Sequence, residues 1–454
     1  MPLQDAMFPQ FTLKCNPEEY KDRVLEFISS FQHAVFLDSN PDTGLPTPVT
    51  GTRYSYIAAA DVVSYSQSDQ HTLEDLQNFM DLAHQSGAWV FGSLTYDLKN
   101  NLEKLESSNP DHNGFPLFHF FSAKHIIIAT ESELTVIDNL DPHALWQSIL
   151  LKAVTSAEEE ISDVSSISYI LNRDTYLRHV GKLLEHIRRG DIYEINYCHE
   201  VQVETGSINP VTLFRKINSI SPNPFSCFYR NNDRYVLCAS PERFLAKRGN
   251  LLISQPIKGT AARGENITDD VNNRKLLASS AKERSENIMI VDLVRNDLSK
   301  VATKGSVHVK ELCGVYTFPK VHQLISTVCC TLKNEINFTK IIRALFPMGS
   351  MTGAPKISAM KLIDEHENFK RSLYSGTIGY INPEGDFDFN VVIRSIMLQQ
   401  NSGKATVAAG SAITAASDPE SEYMETLAKL KPQLEALGID AGRFINEISN
   451  KHAI

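Results

Sequence analysis

The sequence lacks the features that would place it in a membrane or outside the cell. None of the apolar runs in its 454 residues is long enough to span a bilayer. The amino-terminal stretch MPLQDAMFPQF has no basic flank followed by an apolar segment, so no secretory signal is predicted. Seven cysteines occur without a C-x-x-C pair, which favours reduced thiols over a disulfide framework. We therefore predict a soluble, cytoplasmic protein.

Charge and motif content argue against further classes of function. The formal net charge of −10 disfavours non-specific binding to nucleic acid or to an anionic membrane. The chain contains no G-x-x-x-x-G-K-[ST] phosphate loop, no dinucleotide-binding fingerprint and no G-x-S-x-G nucleophile motif. His322, in KVHQLIS, has no histidine or cysteine nearby, which argues against zinc and leaves a core histidine or a substrate contact open.

Helix and strand patterns are mixed along the chain. Helices are predicted from Asp174, as N-cap, to Gly190, for RKLLASSAKERSENIMIVDLVRNDL and GAPKISAMKLIDEHE, and from Ser417 or Asp418 to Gly438. Strands are predicted for YVLCAS and LLISQPI around a turn at KRGN, and for GTIGYI, DFDFNVVIRSIML and KATVAAG. Hairpins mixed with helices, rather than strict β–α alternation, predict an α+β fold with antiparallel sheet.

The polar segment TSAEEEISDVSSIS is the best candidate for a boundary within the chain. It would separate an N-terminal region, 1–155, packed on the rest, from a main domain, 168–438, followed by a tail, 439–454. A surface excursion within one domain is the alternative.

Two pairs of glutamates occur with the same helical spacing. Glu283 and Glu286 lie on one face of a predicted helix, and Glu422 and Glu425 lie on one face of another. Solvated helix faces would explain either pair. Because apolar residues follow both pairs, the carboxylates could instead meet at a core edge and bind a hard cation such as Mg²⁺.

Three further features could bind an anion. Arg394 lies in a predicted strand on the same face as Val392 and Ile396, and its planar guanidinium suits a carboxylate. The GSMTGAPK turn and the strand end AAGSAI offer backbone N–H groups, although ordinary turns and caps explain them too. Apart from these three features, Lys258, in QPIKGT, ends an apolar stretch and either reaches into water or faces a pocket. Together these residues are consistent with a Mg²⁺ enzyme that acts on a small polyanion.

Seven motifs then occur in one order: SPERF, PIKGT, ENIMIVDLVRNDL, TGAPK, SGTIGYI, GDFDFNVVIRS and EYMET. Together they resemble the chorismate-utilising enzymes, which include anthranilate, aminodeoxychorismate, isochorismate and salicylate synthases. The match covers 172–434. The resemblance implies two orthogonally packed, mainly antiparallel β-sheets flanked by helices, an α/β sandwich.

The resemblance also implies roles for individual residues. Mg²⁺ is expected to be held by Glu286 and Glu425 directly and by Glu283 and Glu422 through water. Glu242 is expected to be the general acid, and His322 to flank the substrate ring. Contacts to chorismate are expected from Arg394, Tyr374, Thr260, Ser350 and the backbone of a turn at Gly410, Ser411 and Ala412.

Lys258 stands where anthranilate synthases usually have alanine, in PIAGT, and resembles the aminodeoxychorismate synthases. There, a neutral lysine amine attacks ring carbon 2 as the 4-hydroxyl leaves, and ammonia then enters at carbon 4 and expels the lysine. Anthranilate synthase is the alternative. Glu194 replaces the glutamine frequent in ammonia-using relatives and the lysine of water-using ones. Since no G-x-C-x-G motif is present, a separate glutamine amidotransferase subunit is expected to supply the ammonia.

Overall fold

The computed structural model describes residues 8–41, 52–155, 164–169 and 172–450. Helix accounts for 37% of the structure and strand for 34%. All strand pairs in this part of the chain are antiparallel. The predicted α+β class with antiparallel sheet is therefore confirmed. Among the described helices, none combines the length and the apolar character that a bilayer crossing needs.

The elements are numbered in chain order. The strands are β1 (Gln10–Lys14), β2 (His33–Asp38), β3 (Tyr56–Gln67), β4 (Val90–Leu94), β5 (Phe118–Ala129), β6 (Glu133–Asp138), β7 (Val164–Tyr169), β8 (Glu194–Thr205), β9 (Phe225–Asn231), β10 (Arg234–Ser240), β11 (Arg243–Arg248), β12 (Leu251–Gln255), β13 (Ile257–Ala262), β14 (His308–Thr317), β15 (Val321–Thr331), β16 (Gly353–Ala354), β17 (Thr377–Ile381), β18 (Phe387–Asn390), β19 (Ser395–Gln399) and β20 (Lys404–Thr414). The α-helices are α1 (Lys21–Ile28), α2 (Leu73–Gln85), α3 (Lys99–Glu103), α4 (Pro142–Leu150), α5 (Arg173–Arg189), α6 (Pro210–Ile220), α7 (Ile267–Ser279), α8 (Ala281–Val301), α9 (Phe338–Leu345), α10 (Lys356–His366), α11 (Pro419–Ala436) and α12 (Ala441–Asn450).

The strands form two sheets that meet at the long strand β5. In the first sheet the order from β5 is β3, β2, β9, β10, β19, β20, β8 and β7. In the second the order is β4, β17, β18, β11, β12, β15 and β14, with β13 also paired to β15. Strands from the predicted N-terminal region thus pair directly with strands of the predicted main domain. Most of the predicted boundary, 156–163, lies outside the described residues.

Alternation along the strands divides the apolar side chains into two cores. On β2, Val35 belongs to a core that contains side chains of both sheets, whereas Phe36 belongs to a core between the first sheet and its helices. Ile290 and Val291 fix α8 in the first of these cores. Tyr423 and Leu427, from α11, lie in the second. The two helices that carry the glutamate pairs are therefore anchored in different cores.

Several predicted elements are confirmed. Asp418 caps α11, Pro419 occupies its first turn, and α5 ends at Gly190, which has a left-handed conformation. The N-cap of α5 is Asn172 rather than Asp174, because the side chain of Asn172 accepts a hydrogen bond from the Thr175 N–H.

Two predicted boundaries are wrong. The predicted helix around ENIMIVDL is interrupted at Ser280, whose hydroxyl caps the start of α8 by accepting from the Glu283 N–H at 3.3 Å. The strand predicted for LLISQPI is divided at Pro256 into β12 and β13. Its hairpin partner is β11, a strand that the sequence interpretation missed.

The largest correction concerns DFDFNVVIRSIML, which does not form one strand. It forms β18 in the second sheet and β19 in the first, joined by residues 391–394, which cross between the sheets. Arg394, at the end of this crossing, has φ 51°, a left-handed conformation that is uncommon for a residue with a side chain. It therefore does not share a strand face with Val392 and Ile396.

Candidate active site

A cavity of about 580 Å³ brings most of the predicted site residues together. Its walls come from α8, α11, β13, β20 and the 391–394 crossing. The predicted residues among its lining are Glu242, Lys258, Thr260, Glu283, Glu286, Ser350, Tyr374, Arg394, Gly410, Ala412, Glu422 and Glu425. These residues are far apart in the sequence, and the fold places them around one volume.

Lys258, the second residue of β13, lies in the wall of this cavity and is not directed into bulk water. Its side chain is 12% exposed, and Nζ lies 3.0 Å from Oε1 of Glu194. Burial lowers the pKa of Lys258, but Glu194, Glu286 and Glu242 together outweigh it, so the net pKa lies above the usual lysine value. In the free protein, the lysine is an ammonium ion paired with Glu194.

Glu242 lies in the short connection between β10 and β11. Its Oε1 accepts a hydrogen bond of 2.8 Å from the Ser350 hydroxyl. Burial raises the pKa of Glu242 to about 7, while Ser350 and Lys258 partly counteract this rise. A carboxyl group with this pKa retains a proton near neutral pH and can donate it, which is the property required of a general acid.

Arg394 and Tyr374 present two donors to the cavity. Among the described residues, no side chain or carbonyl pairs with the Arg394 guanidinium, and its burial lowers its pKa. A buried cation without a partner favours binding of an anionic ligand. Burial also raises the pKa of Tyr374 far above its usual value, so its hydroxyl stays neutral and available as a donor.

The four glutamates face the cavity from α8 and α11. Burial raises the pKa of Glu286 to about 7 and also raises that of Glu283, which the nearby Glu425 and Glu422 raise further. The pKa of Glu425 is lowered: burial opposes this, but Lys429 Nζ lies 2.7 Å from its Oε1. Within the described ranges, the carboxylates of Glu283, Glu286 and Glu422 have no hydrogen-bond or ion-pair partner.

These carboxylates have the chemistry of a hard-cation site. Mutual repulsion between partly buried, unpartnered carboxylates is relieved when a divalent ion lies between them. Lys282 also places positive charge near all four glutamates: burial lowers its pKa, but the four glutamates raise it above the usual lysine value. In the part of the chain that the structure describes, no three histidine, cysteine, aspartate or glutamate side chains are already gathered as a metal cluster.

His322 and Ser411 are not brought to the cavity surface. The His322 ring, on β15, is 1% exposed, and its nitrogens lie 3.0 Å from Thr317 Oγ1 and 3.0 Å from Asp270 Oδ1. The Ser411 hydroxyl lies 3.1 Å from the Tyr176 hydroxyl, on the other face of β20. The proposed role of His322 beside a substrate ring stays a prediction.

Gly410, Ser411 and Ala412 do not form a turn, contrary to the resemblance. They lie inside β20, which pairs with β8 as far as Thr414, whereas the pairing with β19 ends at Val407. The opposite edge of β20 is therefore not covered by a strand beyond that point. A Cβ at Gly410 would lie 2.4 Å from Cys198 Sγ, so a side chain cannot be accommodated there.

A buried ion pair that sequence reasoning missed supports the cavity lining at Met351 and Asn196. The Arg371 guanidinium donates to the carbonyls of Met351 at 2.7 Å and Asn196 at 2.8 Å, and it pairs with Glu367 at 2.6 Å. Glu367 also accepts from the Cys198 N–H at 2.9 Å. The only sequence signal was the opposite charges of Glu367 and Arg371 at i, i+4 spacing.

Comparisons with known proteins identify the family. The sequence profile of the chorismate binding enzyme family matches residues 33–435. The chain is 34% identical to aminodeoxychorismate synthase component 1 of Escherichia coli, over 79% of this chain and 78% of that protein. It is 33% identical to anthranilate synthase component 1 of Saccharolobus solfataricus, over 77% of this chain and 80% of that protein.

Longer relatives and a solved structure match as well. The chain spans only 29% of a probable chloroplastic aminodeoxychorismate synthase of Oryza sativa and 33% of that of Arabidopsis thaliana. The crystal structure of anthranilate synthase component I from Streptococcus pneumoniae is 27% identical, with a TM-score of 0.73 over 83% of this chain and 91% of that one. The chain therefore belongs to the family of chorismate binding enzymes.

Proposed function

We propose that the chain is component I of an aminodeoxychorismate synthase, which converts chorismate and ammonia to 4-amino-4-deoxychorismate on the route to 4-aminobenzoate and folate. The observation that carries the proposal is the placement of Lys258. Its amine lines the same cavity as the Glu242 carboxyl and the unpaired Arg394 guanidinium. A nucleophile, an acid and an anion-binding group therefore face one volume of substrate size.

In this proposal each group has one task. Arg394 and Tyr374 bind the enolpyruvyl carboxylate of chorismate and fix the orientation of the ring. The neutral amine of Lys258 forms a bond to ring carbon 2, and Glu242 gives its proton to the departing 4-hydroxyl, which leaves as water. Ammonia then bonds to carbon 4 as the carbon–nitrogen bond to Lys258 breaks.

Mg²⁺ is proposed as the cofactor on the strength of the unpartnered carboxylates. Glu286 and Glu425 would hold it directly, and Glu283 and Glu422 through water. When bound, it would supply positive charge for the ring carboxylate of chorismate. The proposal fits the raised pKa of Glu286, because a carboxylate that is destabilised alone gains most from a cation.

The ammonia is proposed to come from a separate glutamine amidotransferase subunit in the cytoplasm. Within the described residues, the cavity lining contains no cysteine that could serve as the nucleophile for glutamine hydrolysis. Ammonium salts should therefore replace the partner in vitro, and the isolated chain should release no ammonia from glutamine.

Anthranilate synthase component I is the second candidate, because relatives with that name match at similar identity. The position of Lys258 favours the first candidate. A lysine amine within reach of the ring permits a covalent intermediate, whereas direct attack of ammonia at carbon 2 needs no amine there.

Product analysis with chorismate, Mg²⁺ and ammonium tests the proposal. We expect the wild type to form 4-amino-4-deoxychorismate and Lys258→Ala to lose most of this activity, while Lys310→Ala, an exposed lysine on β14, keeps it. Fluorescent anthranilate with pyruvate would establish the second candidate instead. Full activity of Lys258→Ala would refute the covalent mechanism, and no conversion of chorismate by the wild type would refute an enzymatic function.

A further inference from the structure

Glu194 forms the only ion pair of Lys258 among the described residues. Its side chain is 1% exposed, lies behind the lysine and does not line the cavity. Oε1 lies 3.0 Å from the lysine Nζ, and the buried Oε2 has no hydrogen-bond partner in the described part of the chain. The contact with Lys258 is therefore the one ion pair that this buried carboxylate makes in the described part of the chain.

The position of Glu194 is fixed from both sides. It begins β8, where it pairs with Thr414 of β20 on one edge and with Ala354 of β16 on the other. The backbone that carries its carboxylate is therefore rigid. Such rigidity is needed to hold one group at hydrogen-bond distance from another. The lysine itself is held by β13 of the other sheet.

The remaining charged groups near Lys258 are less suited to exchange a proton with it. Glu286, from α8, and Glu242, from the β10–β11 connection, act on it through space without a hydrogen bond. Glu242 is bound to Ser350 and must keep its proton for the departing hydroxyl. Lys282 and Glu283, also on α8, line the same cavity and do not contact Nζ within the described residues.

An ammonium ion cannot act as a nucleophile, so Lys258 must lose a proton before it attacks. The lysine side chain is 12% exposed, and chorismate bound in the cavity would cover this part and keep water from Nζ. In a dry site the ion pair loses the solvation that stabilises its two charges, and the neutral amine–acid pair becomes competitive.

We propose that Glu194 is the base that activates Lys258. One N–H bond of the ammonium breaks, its electron pair remains on Nζ, and an O–H bond forms on Oε1, which leaves a neutral amine and a neutral acid. This inference rests on the proposed function, because only a covalent role for Lys258 requires the transfer.

Two variants and a control test this assignment by kinetics. Glu194→Gln keeps the shape and removes the basic oxygen; we expect kcat to fall about 100-fold or more, with the KM for chorismate little changed. Glu194→Asp, which keeps a carboxylate, should recover part of the loss. Glu200→Gln, an equally buried glutamate further along β8 that pairs with His112, measures the effect of the same substitution on the fold.

A second readout does not depend on turnover. The rate of reductive methylation of Lys258, followed by peptide mass spectrometry across pH without chorismate, reports its neutral fraction directly. Because Glu194 stabilises the ammonium, the midpoint in Glu194→Gln should move to lower pH by about one unit or more. Glu200→Gln should leave the midpoint unchanged.

The outcomes separate this inference from the proposed function. A lower methylation midpoint with a wild-type kcat in Glu194→Gln would overturn the assignment, because the ion pair would exist without serving as the base. An equal loss of kcat in Glu200→Gln would overturn it as well. If Lys258→Ala keeps full activity, the covalent function itself fails, and the methylation midpoint still reports whether the ion pair forms.

Discussion

Replacing Glu242 by glutamine should change how the stability of the fold depends on pH. Burial raises the pKa of this carboxyl from 4.5 to about 7, so between these values the folded chain keeps a proton that the unfolded chain has released. Wild-type stability therefore falls as pH rises through this window. At about 1.4 kcal/mol per pKa unit, burial of this carboxyl destabilises the folded state by about 3 kcal/mol. This destabilisation is complete above pH 7 and absent below pH 4.5.

Urea unfolding of the wild type and Glu242→Gln at several pH values measures this contribution. The variant has no charge to bury, so its free energy of unfolding relative to the wild type should rise by about 3 kcal/mol between pH 4 and pH 8. Groups that do not interact with Glu242 titrate alike in both proteins and cancel in the difference, and Lys258, whose pKa Glu242 helps to raise, titrates above this pH range. As a control, Glu131→Gln, at an exposed position, should differ from the wild type in unfolding free energy by the same amount at every pH. If the difference in unfolding free energy between Glu242→Gln and the wild type stays constant with pH, the buried, proton-retaining state of the carboxyl is refuted. The expected result is a variant that is more stable than the wild type at pH 8 and inactive.

Three further predictions concern the other walls of the cavity. Arg394→Leu should raise the KM for chorismate about ten- to hundredfold, because a hydrogen bond to a charged group contributes about 1.5–3 kcal/mol; exposed Arg295→Leu, assayed in parallel, should leave KM unchanged. Chelation of Mg²⁺ should abolish turnover, and calorimetry should show that Glu286→Gln loses Mg²⁺ binding in the presence of chorismate; full activity in excess chelator would contradict the metal site. Ser280→Ala removes the N-cap of α8 and should lower the free energy of unfolding by about 1 kcal/mol in urea; an unchanged midpoint would show that the cap is dispensable.

The sequence predicted elements with a strong local signal. The end of α5 at Gly190 and the start of α11 at Asp418 follow from caps that act within one turn of helix. The glutamate pairs were identified by helical spacing alone. That α8 and α11 face each other across a cavity depends on their burial in two different cores, and no local pattern encodes this arrangement.

The crossing at 391–394 shows why the rest could not be predicted. DFDFNVVIRSIML resembles one strand because Phe387 and Phe389 alternate with polar residues and the break itself begins with three β-branched residues, 391–393. The available signal was the apolar run from Val391 to Ile393, because consecutive apolar residues interrupt an alternating pattern. The partnership of Glu194 with Lys258 likewise arises from a contact between β8 and β13, strands of different sheets.

The crossing also ties ligand recognition to the state of the whole molecule. The chain enters the crossing from β18 of the second sheet and leaves it into β19 of the first. The position of the Arg394 guanidinium therefore depends on the packing of both sheets. Looser side-chain packing in either core would displace Arg394 while the backbone hydrogen bonds between the strands are still intact. If Arg394 binds the substrate as proposed, substrate affinity should decrease in mild denaturant while the circular dichroism of the sheets is still unchanged.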